Sequence, residues 1–327
     1  MTPKERLIKV LFRQPVDRSP VAVPTQNATV AVMRQAEVYW PDALKFAEPM
    51  ADLAVACQHV YGFESLRLPF DINVEAETMG CATRYGGEAD PPVSKPKNRD
   101  ELGELLFPDP SGSGRMAEVI KAVSLVAAAK DPALPLIAAL GTPFEVLCTV
   151  YNFDHMRADM KSGKVGLCAL LENILELQTA YGKALADAGA DVMMLVDGTS
   201  QTLASRQFQE FSAPYTTRLI GALDMPCILH ICGNPQRLIR DMAATGARGL
   251  SLDWPVDIAK ARQDAPDAAF VGNLNVTTLQ AGTPGDVVEM VEKARAAGVD
   301  VIAPGCGIMP QTPLENIRAY VDTVISA

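Results

Sequence analysis

Histidine and cysteine together form the pattern with the clearest chemical meaning in this sequence. His230 and Cys232 lie two residues apart in an apolar string, residues 226–231, that has the character of a buried strand. Alternate residues of a strand point to the same side, so an imidazole nitrogen and a thiolate would share one face. These two groups are ligands suited to a borderline-soft metal such as zinc.

Cys306 is the candidate for a third ligand. It lies between Gly305 and Gly307, directly after the last predicted strand. Flanking glycines allow a tight turn that leaves the thiol exposed. One histidine and two cysteines leave a position of tetrahedral zinc open, which suits catalysis better than a structural role. The alternative is that both cysteines are small apolar core residues, because buried cysteine often behaves in that way.

Short apolar runs that alternate with helical stretches must position these residues. Each run is nearly continuous and ends in Gly, Asn, Asp or Pro, which is typical of parallel strands buried on both faces. The runs are residues 20–24, 63–70, 134–140, 191–196, 226–231, 249–252, 269–272 and 299–303. The pattern predicts an α/β protein, a (β/α)₈ TIM barrel with an N-terminal helical extension, formed by one domain over residues 1–327. A doubly wound sheet is the alternative. Barrel active sites lie at the carboxyl ends of the strands, where the histidine and the cysteines fall.

Composition excludes several classes of protein. The chain has 327 residues, 48% apolar and 21% charged, with a net charge of −10, so we expect no basic face for nucleic acid or an anionic membrane. No stretch approaches the roughly 18–20 apolar residues that span a bilayer, and no signal peptide is apparent. The seven cysteines lack framework spacing, which indicates a reducing compartment. We therefore expect a cytoplasmic protein.

Motifs along nearly the whole chain resemble one known family. They are residues 2–6 (TPKER), 16–20 (VDRSP), 68–81 (LPFDINVEAETMGC), 230–234 (HICGN), 272–275 (GNLN), 304–307 (PGCG) and 312–317 (TPLENI). The chain resembles the uroporphyrinogen decarboxylase superfamily and, within it, the methylcobamide:coenzyme M methyltransferase branch. The decarboxylases share the barrel without the His-x-Cys and distal Cys set, so that set favours the methyltransferase branch.

This resemblance implies a zinc-dependent methyltransferase. Zinc held by His230, Cys232 and Cys306 would bind an acceptor thiol such as coenzyme M as a thiolate, which would attack the methyl group of a methylcorrinoid. The corrinoid would be the co-substrate and would arrive on a separate small corrinoid protein. Alternatives are a tetrahydrofolate acceptor, a uroporphyrinogen-type decarboxylase, or a barrel that binds a corrinoid partner without catalysis.

Four polar residues near predicted strand ends are further candidates for the site. The resemblance implies a carboxylate in the fourth zinc position, which in this register is Asp253, although Asp253 could equally be a helix N-cap. Asp197 and Asn273 are candidate substrate-contact or supporting residues at the catalytic site, and Asn275 is a candidate cofactor contact. Each of these three could instead cap a loop.

Overall fold

The computed structural model describes residues 1–112, 114–162 and 165–326. The strands are β1 Leu66–Leu68, β2 Thr83–Arg84, β3 Val93–Ser94, β4 Leu136–Gly141, β5 Val192–Val196, β6 Cys227–Ile231, β7 Gly249–Leu252, β8 Ala269–Leu274 and β9 Val301–Pro304. The helices before β5 are α1 Pro3–Leu11, α2 Val30–Ala36, α3 Asp42–Lys45, α4 Ala47–Tyr61, α5 Val74–Thr78, α6 Gly114–Ala129, α7 Pro143–Val150, α8 Phe153–Ser162 and α9 Val165–Asp187. The helices after β5 are α10 Ser205–Phe211, α11 Ala213–Leu223, α12 Ile239–Ala244, α13 Ile258–Asp264, α14 Val276–Ala281, α15 Pro284–Ala296 and α16 Leu314–Ile325. Three 3₁₀ turns are Arg99–Glu104, Gly198–Thr202 and Gln236–Leu238.

The main sheet is parallel and follows the order β1-β4-β5-β6-β7-β8-β9, while β2 and β3 form a separate antiparallel pair. Each long strand is followed by one or more helices. The sheet is curled, and the helices lie on its outer face. The predicted α/β class and parallel strand pairing are confirmed. The prediction for β7 matches its observed limits, Gly249–Leu252, and β8 extends two residues further than predicted.

The prediction of eight parallel strands was wrong by one. Among the described residues, residues 20–24 form no strand and the parallel sheet has seven strands. Pro20 and Pro24 have no backbone N–H and cannot donate to a ladder. The Val21 carbonyl still accepts a hydrogen bond from the Glu64 backbone N–H at 2.9 Å, just before β1. This segment therefore contacts one edge of the sheet without forming a regular ladder.

Ser19 connects the same segment to the opposite edge of the sheet. Its hydroxyl donates to the Asp300 carbonyl at 3.0 Å and accepts from the Ile302 backbone N–H at 3.1 Å. Side-chain hydrogen bonds thus replace backbone pairing beside β9. Closure of an eight-membered barrel by residues 20–24 stays a prediction, as does the single domain over residues 1–327.

The interior of the curled sheet has its own apolar core. Leu7, Val10 and Leu11 of α1 pack in one cluster with side chains from alternate strand positions. The strand members are Ile137, Ala139, Val192, Met194, Val196, Ile228, Ala269, Val271, Val301 and Ala303. A Cβ atom on Gly249, the first residue of β7, would lie 2.9 Å from Leu11. Helix α1 therefore covers the amino ends of the strands and leaves their carboxyl ends for a site.

The helices pack their apolar faces on the outside of the sheet. None of the helices in the described residues is long and apolar enough to cross a membrane.

Candidate metal centre

His230 occupies the carboxyl half of β6 and is 2% exposed. Ser251 is its neighbour in the register of β6 with β7. The Ser251 hydroxyl lies 3.0 Å from His230 Nδ1, and the Ser251 carbonyl oxygen lies 3.3 Å from the same nitrogen. A partner on one ring nitrogen fixes the orientation of the ring and leaves the other free as a ligand.

The two predicted cysteine ligands meet at the free nitrogen of His230. The Nε2 atom lies 2.9 Å from Cys232 Sγ, which lies 3.2 Å from Cys306 Sγ. The sulfur separation exceeds the roughly 2.05 Å of a disulfide. All three ligand atoms lie within 4.8 Å of one another. The fold thus brings together the ends of β6 and β9, as the sequence predicted.

Cys306 is held beside the other two ligands, and its own loop is tied to a distant segment. A hydrogen bond from the Cys232 thiol, followed by the nearby His230 ring, lowers the pKa of Cys306 below its ordinary value although burial opposes the shift. The Thr25 hydroxyl donates to the Cys306 carbonyl at 2.9 Å and holds the loop. Histidine nitrogen and thiolate sulfur at this spacing are a donor set that fits zinc.

Glu145 is a site residue that the sequence analysis missed. It lies in the first turn of α7, and its Oε2 atom accepts a hydrogen bond from the Thr199 backbone N–H at 2.7 Å. A Cβ atom on Gly198 would lie 3.7 Å from Cys232 Sγ and 3.8 Å from Glu145 Oε1, so both groups face the same small space. The signal available in the sequence was an acidic residue at a helix start just after the run 134–140.

Burial raises the pKa of Glu145 to about 7, and the carboxylate of Asp197 adds to the shift. Asp197 is itself fully buried, and its Oδ2 atom accepts a hydrogen bond from the Ser212 hydroxyl at 2.6 Å. Burial raises the pKa of Asp197 as well. The structure therefore places Asp197 beneath the site and beside Glu145, where it does not line the cavity described below.

Asp253 lies at the end of β7 and braces two loops. Its Oδ2 atom accepts from the Gly233 backbone N–H at 3.0 Å, and Oδ1 accepts from the Trp254 backbone N–H at 2.8 Å. Both oxygens thus have backbone donors from loops. Asp253 is not the helix N-cap that the sequence analysis offered as an alternative, because Asp257 is the N-cap of the next helix, α13. Asp253 is not part of the group of three ligands within 4.8 Å.

Asn273 and Asn275 lie away from the cysteines. They border a separate groove with Trp254 and Met290, and neither lines the cavity that contains His230. The Asn275 side chain accepts a hydrogen bond from the Thr277 backbone N–H at 2.9 Å as the N-cap of α14. The fold therefore does not bring these two asparagines to the metal centre, because their side chains are used in loop and helix capping.

A cavity of about 480 Å³ opens above the cysteine pair. Its walls are mostly apolar. They include Trp40, Phe70, Ile72, Pro91, Pro92, Met194, Val196, Ile308, Met309 and Pro310. Charged groups enter the wall at Arg67 and Asp71. The carboxylate of Asp71 is bound by the Arg115 guanidinium through two hydrogen bonds. A small molecule in this cavity would reach Cys232 and Cys306 while largely removed from water.

A curled parallel sheet with a His/Cys/Cys cluster at the carboxyl ends of its strands defines an α/β protein with a candidate catalytic metal centre. The sequence profile described as "Uroporphyrinogen decarboxylase (URO-D)" matches residues 2–326. The chain belongs to the uroporphyrinogen decarboxylase family.

The relatives of this chain include proteins named as methyltransferases and proteins named as decarboxylases. The "Methylcobamide:CoM methyltransferase MtbA" of Methanosarcina acetivorans is 37% identical over 98% of this chain and 97% of its own length. A "Uroporphyrinogen decarboxylase" of Nitrosococcus oceani is 26% identical over 98% of this chain and 95% of its own length. A solved structure titled "methyltransferase from Methanosarcina mazei" is 30% identical, with a TM-score of 0.95, and the match covers 100% of this chain and 99% of that one. The predicted resemblance to the methyltransferase branch is confirmed.

Proposed function

We propose that this protein is a zinc-dependent methyltransferase that moves a methyl group from a methylated corrinoid to the thiol of coenzyme M. The single observation that carries the proposal is the His230, Cys232 and Cys306 cluster at the base of an apolar cavity. Relatives named methylcobamide:CoM methyltransferases support the substrates.

The ligand atoms of His230, Cys232 and Cys306 would hold the zinc. When bound, zinc supplies a positive charge that favours the thiolate form of the acceptor, and the thiolate is the nucleophile. Glu145 is our candidate for a fourth ligand, because its Oε1 atom and Cys232 Sγ both border the space beside Gly198. Like Asp253, it lies outside the group of three ligand atoms within 4.8 Å of one another. Asp253 instead uses both oxygens for backbone hydrogen bonds.

The chain's own residues prepare the acceptor for attack. Ser251 orients His230, and the loop bond from Thr25 to Cys306 holds the second thiolate in place. The apolar walls exclude water, which strengthens the electrostatic interactions inside the cavity. Asp197 lies close enough to raise the pKa of Glu145 and does not line the cavity, so it does not contact the acceptor.

A corrinoid is a macrocycle that a cavity of about 480 Å³ does not enclose. We therefore propose that the methylcorrinoid arrives on a small corrinoid protein that docks over the mouth of the cavity. We also propose that residues 20–24 complete an eight-membered barrel and that the reaction takes place in the cytoplasm.

The test uses methylcobalamin as the donor and coenzyme M as the acceptor. Zinc-loaded protein should demethylate methylcobalamin in the presence of the thiol, which is followed by the visible spectrum, and mass spectrometry should detect the methyl thioether. Cys232→Ala should abolish both zinc binding and demethylation. Cys168→Ala, which removes an exposed cysteine of α9, is the matched control and should retain both.

Two results would contradict the proposal. Demethylation that does not depend on zinc, or that Cys232→Ala leaves unchanged, would remove the metal centre from the reaction. Methyl transfer to tetrahydrofolate but not to coenzyme M, or turnover of uroporphyrinogen, would establish the corresponding alternative.

A further inference from the structure

Arg67 places a positive charge in the wall of the cavity. It is the middle residue of β1, and its neighbours Leu66 and Leu68 pack in the core outside the sheet. Arg67 therefore points to the interior of the curled sheet, because side chains alternate along a strand. It is 3% exposed and borders the same cavity as His230 and Cys306.

The guanidinium of Arg67 has no carboxylate partner. Its Nε atom donates to the Pro24 carbonyl at 3.1 Å, and Nη1 donates to the Pro69 carbonyl. Across the described residues, no Asp or Glu oxygen forms a salt bridge with it. A guanidinium carries five N–H donors, so these two carbonyls leave some of them without a partner in the part of the chain that the structure describes.

Asp71 is the nearby carboxylate, but it is already neutralised. Arg115 binds both of its oxygens, and the two side chains are 5% and 2% exposed. Burial lowers the pKa of Arg67 to about 10, while Asp71 opposes the shift, so Arg67 is charged at neutral pH. A buried charge without a counter-ion is costly, and an anionic ligand would remove that cost.

We infer that Arg67 binds an anionic group carried by the acceptor thiol at the end remote from its sulfur. This inference rests on the proposed function, in which coenzyme M, a thiol with a sulfonate, is the acceptor. The charges of a divalent metal and two thiolates cancel. The metal centre therefore offers little attraction to the anionic group at the other end of the acceptor. The planar guanidinium matches a sulfonate or carboxylate through paired hydrogen bonds.

The topology places the two ends of such an acceptor at opposite sides of the cavity. In the sheet order, β1 and β6 are separated by β4 and β5. Three strand spacings amount to about 14 Å along the sheet. Arg67 and His230 both border the cavity, so an acceptor that spans it contacts both residues.

Binding of ethanesulfonate, which has no thiol, tests the anion site without zinc or methyl transfer. Isothermal titration calorimetry on the metal-free protein should show binding to the wild type that Arg67→Gln weakens by about 10- to 100-fold, the value of hydrogen bonds to a charged group. Arg218→Gln removes an exposed arginine paired with Glu172 and is the control that should bind like the wild type. Equal binding by the wild type and Arg67→Gln would overturn the inference.

A comparison of acceptors tests the same charge in the reaction. The kcat/KM for demethylation of methylcobalamin should be about 10- to 100-fold higher with 2-mercaptoethanesulfonate than with 2-mercaptoethanol. In Arg67→Gln this ratio should fall toward one, and Arg67→Lys should recover part of it because the charge is kept. 3-Mercaptopropionate distinguishes a sulfonate site from one that accepts any anion. A ratio that stays at the wild-type value in Arg67→Gln would refute the inference.

The two proposals can fail separately. If ethanesulfonate binds through Arg67 but no thiol demethylates methylcobalamin, the proposed function is wrong and the anion site stands. If demethylation is efficient but does not distinguish charged from neutral thiols, the proposed function stands and the role of Arg67 is wrong. Thermal unfolding of each variant identifies a loss that is due to misfolding.

Discussion

Ser251→Ala should weaken zinc binding without removing any ligand. In the structure the Ser251 hydroxyl lies 3.0 Å from His230 Nδ1, and the Ser251 carbonyl lies 3.3 Å from the same atom. Loss of a group that orients a metal ligand costs about 10- to 100-fold in affinity. Because the carbonyl remains in place, we expect the lower end of this range, about tenfold or ~1.4 kcal/mol.

Competition with a chromogenic zinc chelator at fixed pH measures this change directly. Ser251→Thr keeps the hydroxyl and should retain most of the affinity. Thr216→Val is the matched control, since it removes a buried hydroxyl of α11 that has no hydrogen-bond partner among the described residues. Zinc affinity of Ser251→Ala equal to that of the wild type would refute the reasoning. A similar loss of zinc affinity in Thr216→Val would show that the effect comes from general destabilisation.

Three further substitutions test the loops and the edge of the sheet. Asp253→Asn should keep one zinc per chain but lower the free energy of unfolding by about 1–3 kcal/mol, because the new amide N–H group faces a backbone N–H donor. Loss of zinc in elemental analysis would instead identify Asp253 as a ligand. Gly233→Ala should lower the melting temperature through a cost of about 1–2 kcal/mol, because Gly233 has φ 69°, and an unchanged melting temperature would contradict this. Burial raises the pKa of Glu64, but hydrogen bonds from Arg18 and Val21 lower it more, so it lies below 4.5. Glu64→Gln should therefore lower the free energy of unfolding by about 2 kcal/mol at pH 7, measured by urea unfolding. The difference from the wild type should vanish as the pH falls below 4.5 through the folded-state pKa of Glu64. A difference that persists at pH 2 would disprove the electrostatic origin.

The strands were largely predictable because their signal is local. A buried parallel strand is a short apolar run bounded by turn residues, and β7 shows this pattern at its observed limits, Gly249–Leu252. The run 20–24 has the same composition but no ladder. Its prolines lack donors. Apart from the backbone hydrogen bond from Glu64 to Val21, side chains such as Ser19 and Ser65 hold it, and no local pattern reports these contacts.

Site residues divide in a similar way. Asn275 has the residue type and position of a site residue, yet its oxygen caps α14. Glu145 and Arg67 carry no motif that separates them from ordinary charged residues. Their importance depends on neighbours far along the chain, because Glu145 faces Cys232 only after β4 and β6 are placed around β5.

The amino-acid sequence alone predicted the parallel α/β class and the grouping of His230, Cys232 and Cys306. Both follow from local rules, since apolar runs define strands and the two-residue strand period puts His230 and Cys232 on one face. Only the tertiary structure decided which other groups share that face. It brought Glu145 near Cys232, left Asp71 paired with Arg115, and left Arg67 without a counter-ion among the described residues. Burial, charge balance and hydrogen-bond supply are properties of packed neighbours, and the order of residues along the chain does not contain them directly.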